Sequence, residues 1–278
     1  MKSIIVVNDE SPQAKHAAKI ALLIAQKVEA NLLLANVNNI HVNIHREKAL
    51  TTAGNKYPTN DWQSAGLMED LKLAVQLDGG FTPNIDCLDN SKLTEDGLVK
   101  YINKNNVWMV VKGMQVFGGN ELNRPLFNIQ SVLNRVHCPA LLVPEHAQLK
   151  KFERIAYMAD LRYCRLSVVK YQAELAKPFN ANALITHLPA SGLPDLDQQY
   201  AWEIFNEQIS SYIDYDKLFY NNIKERNLLK ALDVIINGMN TDLLALVNHQ
   251  YHFMGILGRY ITQSLPPPIH IPVLVFPF

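Results

Sequence analysis

Cysteine is scarce in this sequence. Cys87, Cys138 and Cys164 lie far apart and never form a Cys-x-x-Cys, which excludes a disulfide framework and a structural zinc ribbon. Long apolar runs are missing too. No stretch reaches the roughly 18 residues of a membrane-spanning helix. The opening Met1-Lys2-Ser3-Ile4-Ile5-Val6-Val7-Asn8-Asp9 turns polar after four apolar residues, too short for a signal-peptide core, so a soluble cytoplasmic protein is expected. Net charge is absent: 26 Lys+Arg balance 26 Asp+Glu. No overall field draws the chain to nucleic acid or to an anionic membrane. Neither G-x-G-x-x-G, a Walker A loop, H-E-x-x-H nor G-x-S-x-G occurs, and no catalytic set emerges from spacing. An enzyme is therefore not expected.

What is present is core material and a repeat. Apolar residues make up 48% and charged residues 19% of 278, ample for burial and equivalent in length to about two domains. Ile4-Ile5-Val6-Val7-Asn8-Asp9 matches Ile155-Ala156-Tyr157-Met158-Ala159-Asp160, and Ala30-Asn31-Leu32-Leu33-Leu34 matches Ala181-Asn182-Ala183-Leu184-Ile185, both at an offset of 151. Later the offset falls. Val107-Trp108-Met109-Val110-Val111 matches Thr241-Asp242-Leu243-Leu244-Ala245 at 134. Cys138-Pro139-Ala140-Leu141-Leu142-Val143-Pro144 matches Ile271-Pro272-Val273-Leu274-Val275-Phe276-Pro277 at 133. The chain reads as two copies of one unit, 1–147 and 148–278, joined through the polar stretch 145–152, with about 17 extra residues in the first copy.

Each copy alternates strand and helix. Ser3 to Val7 is a continuous β-branched and aliphatic run, the pattern of a strand buried on both faces. Ser11-Pro12 is an N-cap followed by proline at the first helical position, and Ala14, Ala17, Ala18, Ala21, Leu22, Ala25 and Val28 follow at helical spacing. Strands are expected over 31–37, 85–88, 107–111 and 140–143, and helices around Trp62 to Val75, from a Thr94 cap to Asn105, and from Leu126 to Val136. In the second copy the helices are read from Leu161 to Leu175, from Ile204 to Tyr212, from Leu228 to Ile235 and from Ile256 to Leu265, with a strand at 217–220. Tyr212, Tyr215, Phe219 and Tyr220 read as core or interface aromatics. The polar stretch 38–60, with His41, His45, Arg46 and Lys48, reads as a long surface loop. Apolar strands alternating with helices imply an α/β fold, a doubly wound parallel sheet in each copy. Ligands of such sheets bind beyond the carboxyl ends of the strands, here at Asn8–Ser11, Val37–Asn39 and Lys112–Gly119 and their second-copy counterparts.

The two opening strands ending in Asp9 and Asp160, with Ser11 after the first, and the two closing strands after Cys138-Pro139 and Ile271-Pro272 resemble tandem members of the universal stress protein family. The resemblance covers nearly the whole chain. It implies two five-stranded, adenine nucleotide alpha hydrolase-like domains, a non-catalytic role in stress response, and pairing through the last strands, either within the chain or in a homo-oligomer. A protein partner fits that role; nucleic acid and membrane do not. Many members bind ATP through G-x2-G-x9-G-[ST] after the fourth strand, where glycines let amides approach phosphate and a hydroxyl adds a donor. Other members lack it.

Stepping that signature from Gly113 puts Val116 and Leu126 at the later glycines and Phe127 at the hydroxyl; Gly118 and Gly119 fall two residues late. In the second copy Val247 and Gln250 take the first two positions, with Gly258 near the third and Arg259 at the hydroxyl. The phosphate loops therefore read as largely degraded, and no cofactor is expected. The alternative is an ATP or AMP switch using a nonstandard loop, with Asp9, Val37, Gly113, Gly118, Gly119, Asp160, Gly258 and Arg259 as its contacts. Asp9 and Asp160 read equally well as turn residues or helix-entry caps, and Arg259 as a phosphate anchor or a solvated surface arginine. Cys138 reads as packing. His249 and His252 read as polar loop histidines; as metal ligands they lack a third partner nearby in sequence.

Overall fold

A computed structural model of the chain describes residues 1–37, 61–76, 80–88, 93–116, 127–258, 260–262 and 264–278. The first half runs β1 (Lys2–Asn8), α1 (Pro12–Val28), β2 (Ala30–Asn36), α2 (Asp61–Gln76), β3 (Ile85–Cys87), α3 (Glu95–Lys104), β4 (Val107–Val116), α4 (Ile129–Leu133) and β5 (Ala140–Pro144). The second runs β6 (Arg154–Ala159), α5 (Leu166–Ala176), β7 (Asn182–His187), α6 (Gln198–Glu203), β8 (Leu218–Asn222), α7 (Leu228–Asp233), β9 (Leu243–Val247), α8 (Tyr251–Ile256), β10 (Ser264–Leu265) and β11 (Val273–Phe276).

The strands form one sheet in the order β3-β2-β1-β4-β5-β11-β9-β6-β7-β8, with β10 beside β4. Each half repeats the same doubly wound order. The two halves meet where β5 and β11 pair antiparallel, Leu142 opposite Val273, Leu141 opposite Leu274 and Ala140 opposite Val275. The other ladders described are parallel. Alternation along the strands feeds two cores. Ile4, Val6, Leu141 and Leu274 face α1, α2, α5 and the segment after α6; Ile5, Val7, Leu142 and Val273 face α3, α4, α7 and α8. That two-sided cover is why these strands read as unbroken apolar runs. Among the described residues no helix is long and apolar enough to cross a membrane.

Local signals explain most element ends. Ser11 Oγ accepts from the Ala14 amide, capping α1, and Thr94 accepts from Gly97 to cap α3, each worth about 1 kcal/mol. Several boundaries differ from the sequence expectation. Asn128 accepts from the Gln130 and Ser131 amides, so α4 starts after it and is short. No single helix spans Leu161 to Leu175. Leu161–Tyr163 is one 3-10 turn capped by Asp160, and α5 begins only at Leu166. The helix read through Leu265 stops at Ile256, because Ser264 and Leu265 pair instead with Gln115 and Val116. The same pairing carries β4 five residues past the expected Val111. Helices α6 and α7 continue as wide π-helical turns over Ile204–Ile209 and Val234–Gly238. Of the four aromatics read as core, Tyr215 and Tyr220 pack against it, while Phe219, on edge strand β8, and Tyr212 are exposed. The expected loop 38–60 lies outside the described residues.

One close approach fixes how α1 sits on the sheet. A Cβ on Gly113 would stand 2.3 Å from the backbone C and O of Gln13 and 2.8 Å from the Ala14 amide. Backbone cannot give way as a side-chain tip can. Gly113→Ala should therefore cost about 2 kcal/mol or more by overpacking, read as a lower urea midpoint with unchanged slope. Wild-type stability in that variant would contradict the packing role.

Candidate functional site

The first-half candidate residues gather at the carboxyl ends of β1, β2 and β4. Asn8 is buried and donates from Nδ2 to Asn36 Oδ1 at 2.8 Å, tying the ends of β1 and β2 together. Asn8 Oδ1 accepts from the Glu10 amide, and Glu10 takes the left-handed conformation, φ 63°. The chain then turns into α1, with Asp9 Oδ1 accepting from the Ser11 amide at 3.1 Å. Val37 is buried, bridges to Leu93, and donates its amide to Asn8 O at 2.9 Å. Its N–H is thus engaged by the fold.

Lys112, the first residue of the candidate segment expected after the fourth strand, meets Asp9 here. It is 5% exposed and its Nζ stands 3.6 Å from Asp9 Oδ2 and 5.6 Å from the Phe127 ring centroid. Burial pushes its pKa down, and the Asp9 carboxylate opposes that shift. Its pairing with Asp9 was not expected; a charged residue inside Val110-Val111-Lys112-Gly113, an otherwise apolar strand, was the signal that could have found it. Val7 is its register partner, two residues before Asp9. Of the signature positions, Gly113 and Val116 both lie within β4, and Gly113 is spent on the approach of α1. Gly118 and Gly119 fall outside the described residues. Phe127 is buried, as an apolar side chain at a hydroxyl position must be.

The second-half crevice is organised by Asp160. Its Oδ1 accepts from the Arg162 amide at 3.1 Å and from Arg162 Nε at 2.8 Å; Oδ2 accepts from Arg162 Nη2 at 2.7 Å and from the Ala190 amide at 2.9 Å. Burial pushes the Asp160 pKa up, but the Arg162 guanidinium and the two amides outweigh it and hold the carboxyl below its ordinary value. Asp160 is the cap of the sequence reading, saturated within the protein. Gly258 also has a structural use, since a Cβ there would lie 2.6 Å from Met254 O. Arg259 falls outside the described residues. Between these elements lies a cavity of about 490 Å³ lined by Asp160, Tyr163, Arg165, Gln250, His252 and Phe278. Arg165 stacks over the Phe278 ring at 4.7 Å.

The two loop histidines separate. His249, in the left-handed region at φ 60°, stands with Nε2 3.1 Å from Asn134 Oδ1 of the first half. His252 is not a loop residue. It sits in the first turn of α8, is 2% exposed, and places Nε2 2.9 Å from Leu188 O, so the N–H is there. Among the described residues no group of three His, Cys, Asp or Glu is placed to hold a metal. His187 was also not singled out. Its Nδ1 accepts from the Leu161 amide at 3.0 Å, which leaves the proton on Nε2, buried with no partner among the described residues. Cys138 is buried and burial pushes its thiol up to about 12, which suits packing rather than nucleophilic attack.

Burial lowers the pKa of His187 and pushes that of His252 from 6.5 to about 4. The native state thus binds fewer protons than the unfolded chain between those values. Stability from neutral His252 is complete above pH 6.5 and is lost as pH falls toward 4, by about 3 kcal/mol in all. Asp160 acts below that window, because its pKa is lowered from 3.8. His252→Gln should therefore differ from wild type by about 3 kcal/mol less at pH 4 than at pH 7 in urea unfolding. A stability difference that is constant with pH would contradict this assignment.

No family model matches the chain, and no curated protein matches it. Solved structures do. A universal stress protein from Archaeoglobus fulgidus DSM 4304 superposes with a TM-score of 0.61 at 14% identity, over 99% of this chain and 97% of that one. A functionally unknown protein from Pseudomonas aeruginosa PAO1 gives 0.54 at 14% identity, over 99% and 92%. At such identities the likeness speaks to architecture: this chain carries the universal stress protein fold along nearly its whole length.

Proposed function

We propose that the protein is a universal-stress-type regulatory module that works by binding rather than by catalysis, with its phosphate loops given over to structure. The observation that carries this reading is the path of β4. It continues as strand through Gly113 and Val116, held at its end by β10. A loop that wraps phosphate needs amides free to point inward; a strand pairs them sideways. Gly113 supports the same view, because its missing side chain serves the contact with Gln13. With β5 and β11 committed to each other, a homo-oligomer would use another face. The balanced charge favours a protein partner over nucleic acid or membrane, and a cytoplasmic setting fits the scattered free cysteines.

A second reading rests on the second-half cavity of about 490 Å³, whose size suits a nucleotide. It would bind ATP or AMP there through Arg165 and the aromatic walls. Asp160 would not contribute, because Arg162 and Ala190 occupy it.

Thermal unfolding with millimolar Mg-ATP, ADP or AMP separates the two. A ligand that binds only the native state raises the melting temperature by mass action, by about 2.7 kcal/mol of stabilisation at a hundredfold excess over Kd. The first reading expects no shift. A rise that Ala190→Trp abolishes, by filling the crevice, would overturn it in favour of the second.

A further inference from the structure

The sheet ends in two edges, β3 and β8. Natural sheets blunt such edges, because outward N–H and C=O groups are a template for another chain. β3 is three residues long and carries Asp86 at its centre. β8, Leu218-Phe219-Tyr220-Asn221-Asn222, has five residues and among them no proline and no charge. Nothing within the strand discourages pairing.

Its register fixes which groups are on offer. The Ala183 amide donates to Lys217 O and the Ile223 amide to His187 O, both at 2.9 Å. Leu218, Tyr220 and Asn222 are the register partners of Ala183, Ile185 and His187. Backbone polar groups of successive residues in a strand point to opposite sides. Lys217, Phe219, Asn221 and Ile223 therefore turn theirs to β7, and Leu218, Tyr220 and Asn222 turn theirs to the side where β8 has no neighbouring strand. Phe219 is exposed, and so is Trp202, whose ring centroid lies 5.9 Å from that of Tyr220. The edge thus adds aromatic surface to its row of outward donors and acceptors.

Charge identifies the occupant. Asp216 stands four residues before Tyr220 and Lys224 four residues after it, both exposed. Asp214 and Arg226, six residues to either side, repeat the signs, although they already meet Lys177 and Asp195 on the surface. The two charges of opposite pattern are turned to the chain itself: Lys217 Nζ donates to Asn180 O at 3.3 Å, and Glu225 Oε1 accepts from the Asn227 amide at 2.8 Å. When two copies of this strand meet antiparallel about Tyr220, Leu218 lies opposite the second copy's Asn222, Tyr220 opposite the second copy's Tyr220, and Asp216 opposite the second copy's Lys224. The outward groups then form the closely spaced hydrogen-bonded pairs of an antiparallel ladder, and each end of the strand meets an opposite charge. An in-register parallel pairing would instead set like charge against like.

We propose that β8 is a self-association edge: a second copy of this chain pairs with it antiparallel about Tyr220, and the sheet continues across a two-fold axis. This assigns the face that remains for a homo-oligomer once β5 and β11 pair with each other. It does not depend on whether either half binds a nucleotide.

Sedimentation velocity of the full chain should show a monomer–dimer equilibrium at concentrations up to about 0.1 mM. Asn222→Pro removes an outward amide that the fold leaves unused. It should leave the far-ultraviolet circular dichroism unchanged and weaken the dimer by about tenfold or more. Asp216→Lys and Lys224→Asp should each weaken it by about tenfold or more, because like charges then face each other at both ends. An equimolar mixture of those two variants restores opposite charges at both ends and should dimerise as the wild type does. These surface changes also serve if Asn222→Pro misfolds. A monomer at every concentration, which would leave the edge to a segment of some other protein, would overturn the proposal. So would a dimer indifferent to Asn222→Pro or to the two charge reversals, or a mixture that stays monomeric.

Discussion

The antiparallel pairing of β5 with β11 is the constraint on which the rest of the molecule depends. Each half-sheet has the order 3-2-1-4-5 and so presents its last strand as an open edge. An edge of fully buried apolar residues such as Leu141, Leu142, Val273 and Leu274 would be a template for aggregation if left unpaired. Joining the two edges removes that liability and makes one sheet with continuous cores on both faces. It also brings side chains of one half onto the other. Asn248 donates to Asn134 Oδ1 at 2.8 Å, and Tyr171 reaches Trp108 across the seam.

That union reshapes the sites at the strand ends. β10 belongs to the second half by sequence, yet it pairs with β4 of the first. β4 is thereby carried on to Val116. Buried charges compensate within the protein: Lys112 with Asp9 in one half, Arg162 with Asp160 in the other. Removing one member of such a pair leaves an uncompensated buried charge, which is far costlier than the pair is stabilising. The two halves thus reached different solutions at equivalent places. The first has a cation from the strand and the second a cation from the following turn.

Much of the fold was legible. The caps at Ser11 and Thr94, the apolar runs of β1 and β5, and the repeated strand ends at Asp9 and Asp160 are local signals, and local physics decided them. What was not legible depended on contacts far along the chain. Ser264 and Leu265 continue an apolar helical spacing, and nothing nearby says that they lie against Gln115 and Val116. His252 looks polar in Asn248-His249-Gln250-Tyr251-His252, but Leu188 O, 64 residues away, is what allows its burial. At the candidate site, Val116, Leu126 and Phe127 at fixed steps from Gly113 were visible in sequence. The use of Gly113 as a packing contact was not, because it requires the Gln13 backbone to be seen beside it. Arg162, two residues from Asp160, was visible as a residue but not as its partner.

Native-state amide hydrogen exchange at the seam tests the central claim most directly. Protection of a backbone amide reports the free energy of the opening that exposes it. If β5 and β11 join the halves into a single cooperative sheet, the amides of Leu141, Leu142 and Leu274 exchange only through global unfolding and rank with β1 and β6 among the slowest. If they exchange as fast as edge strand β8 while β1 and β6 remain protected, the halves are independent units and the account fails.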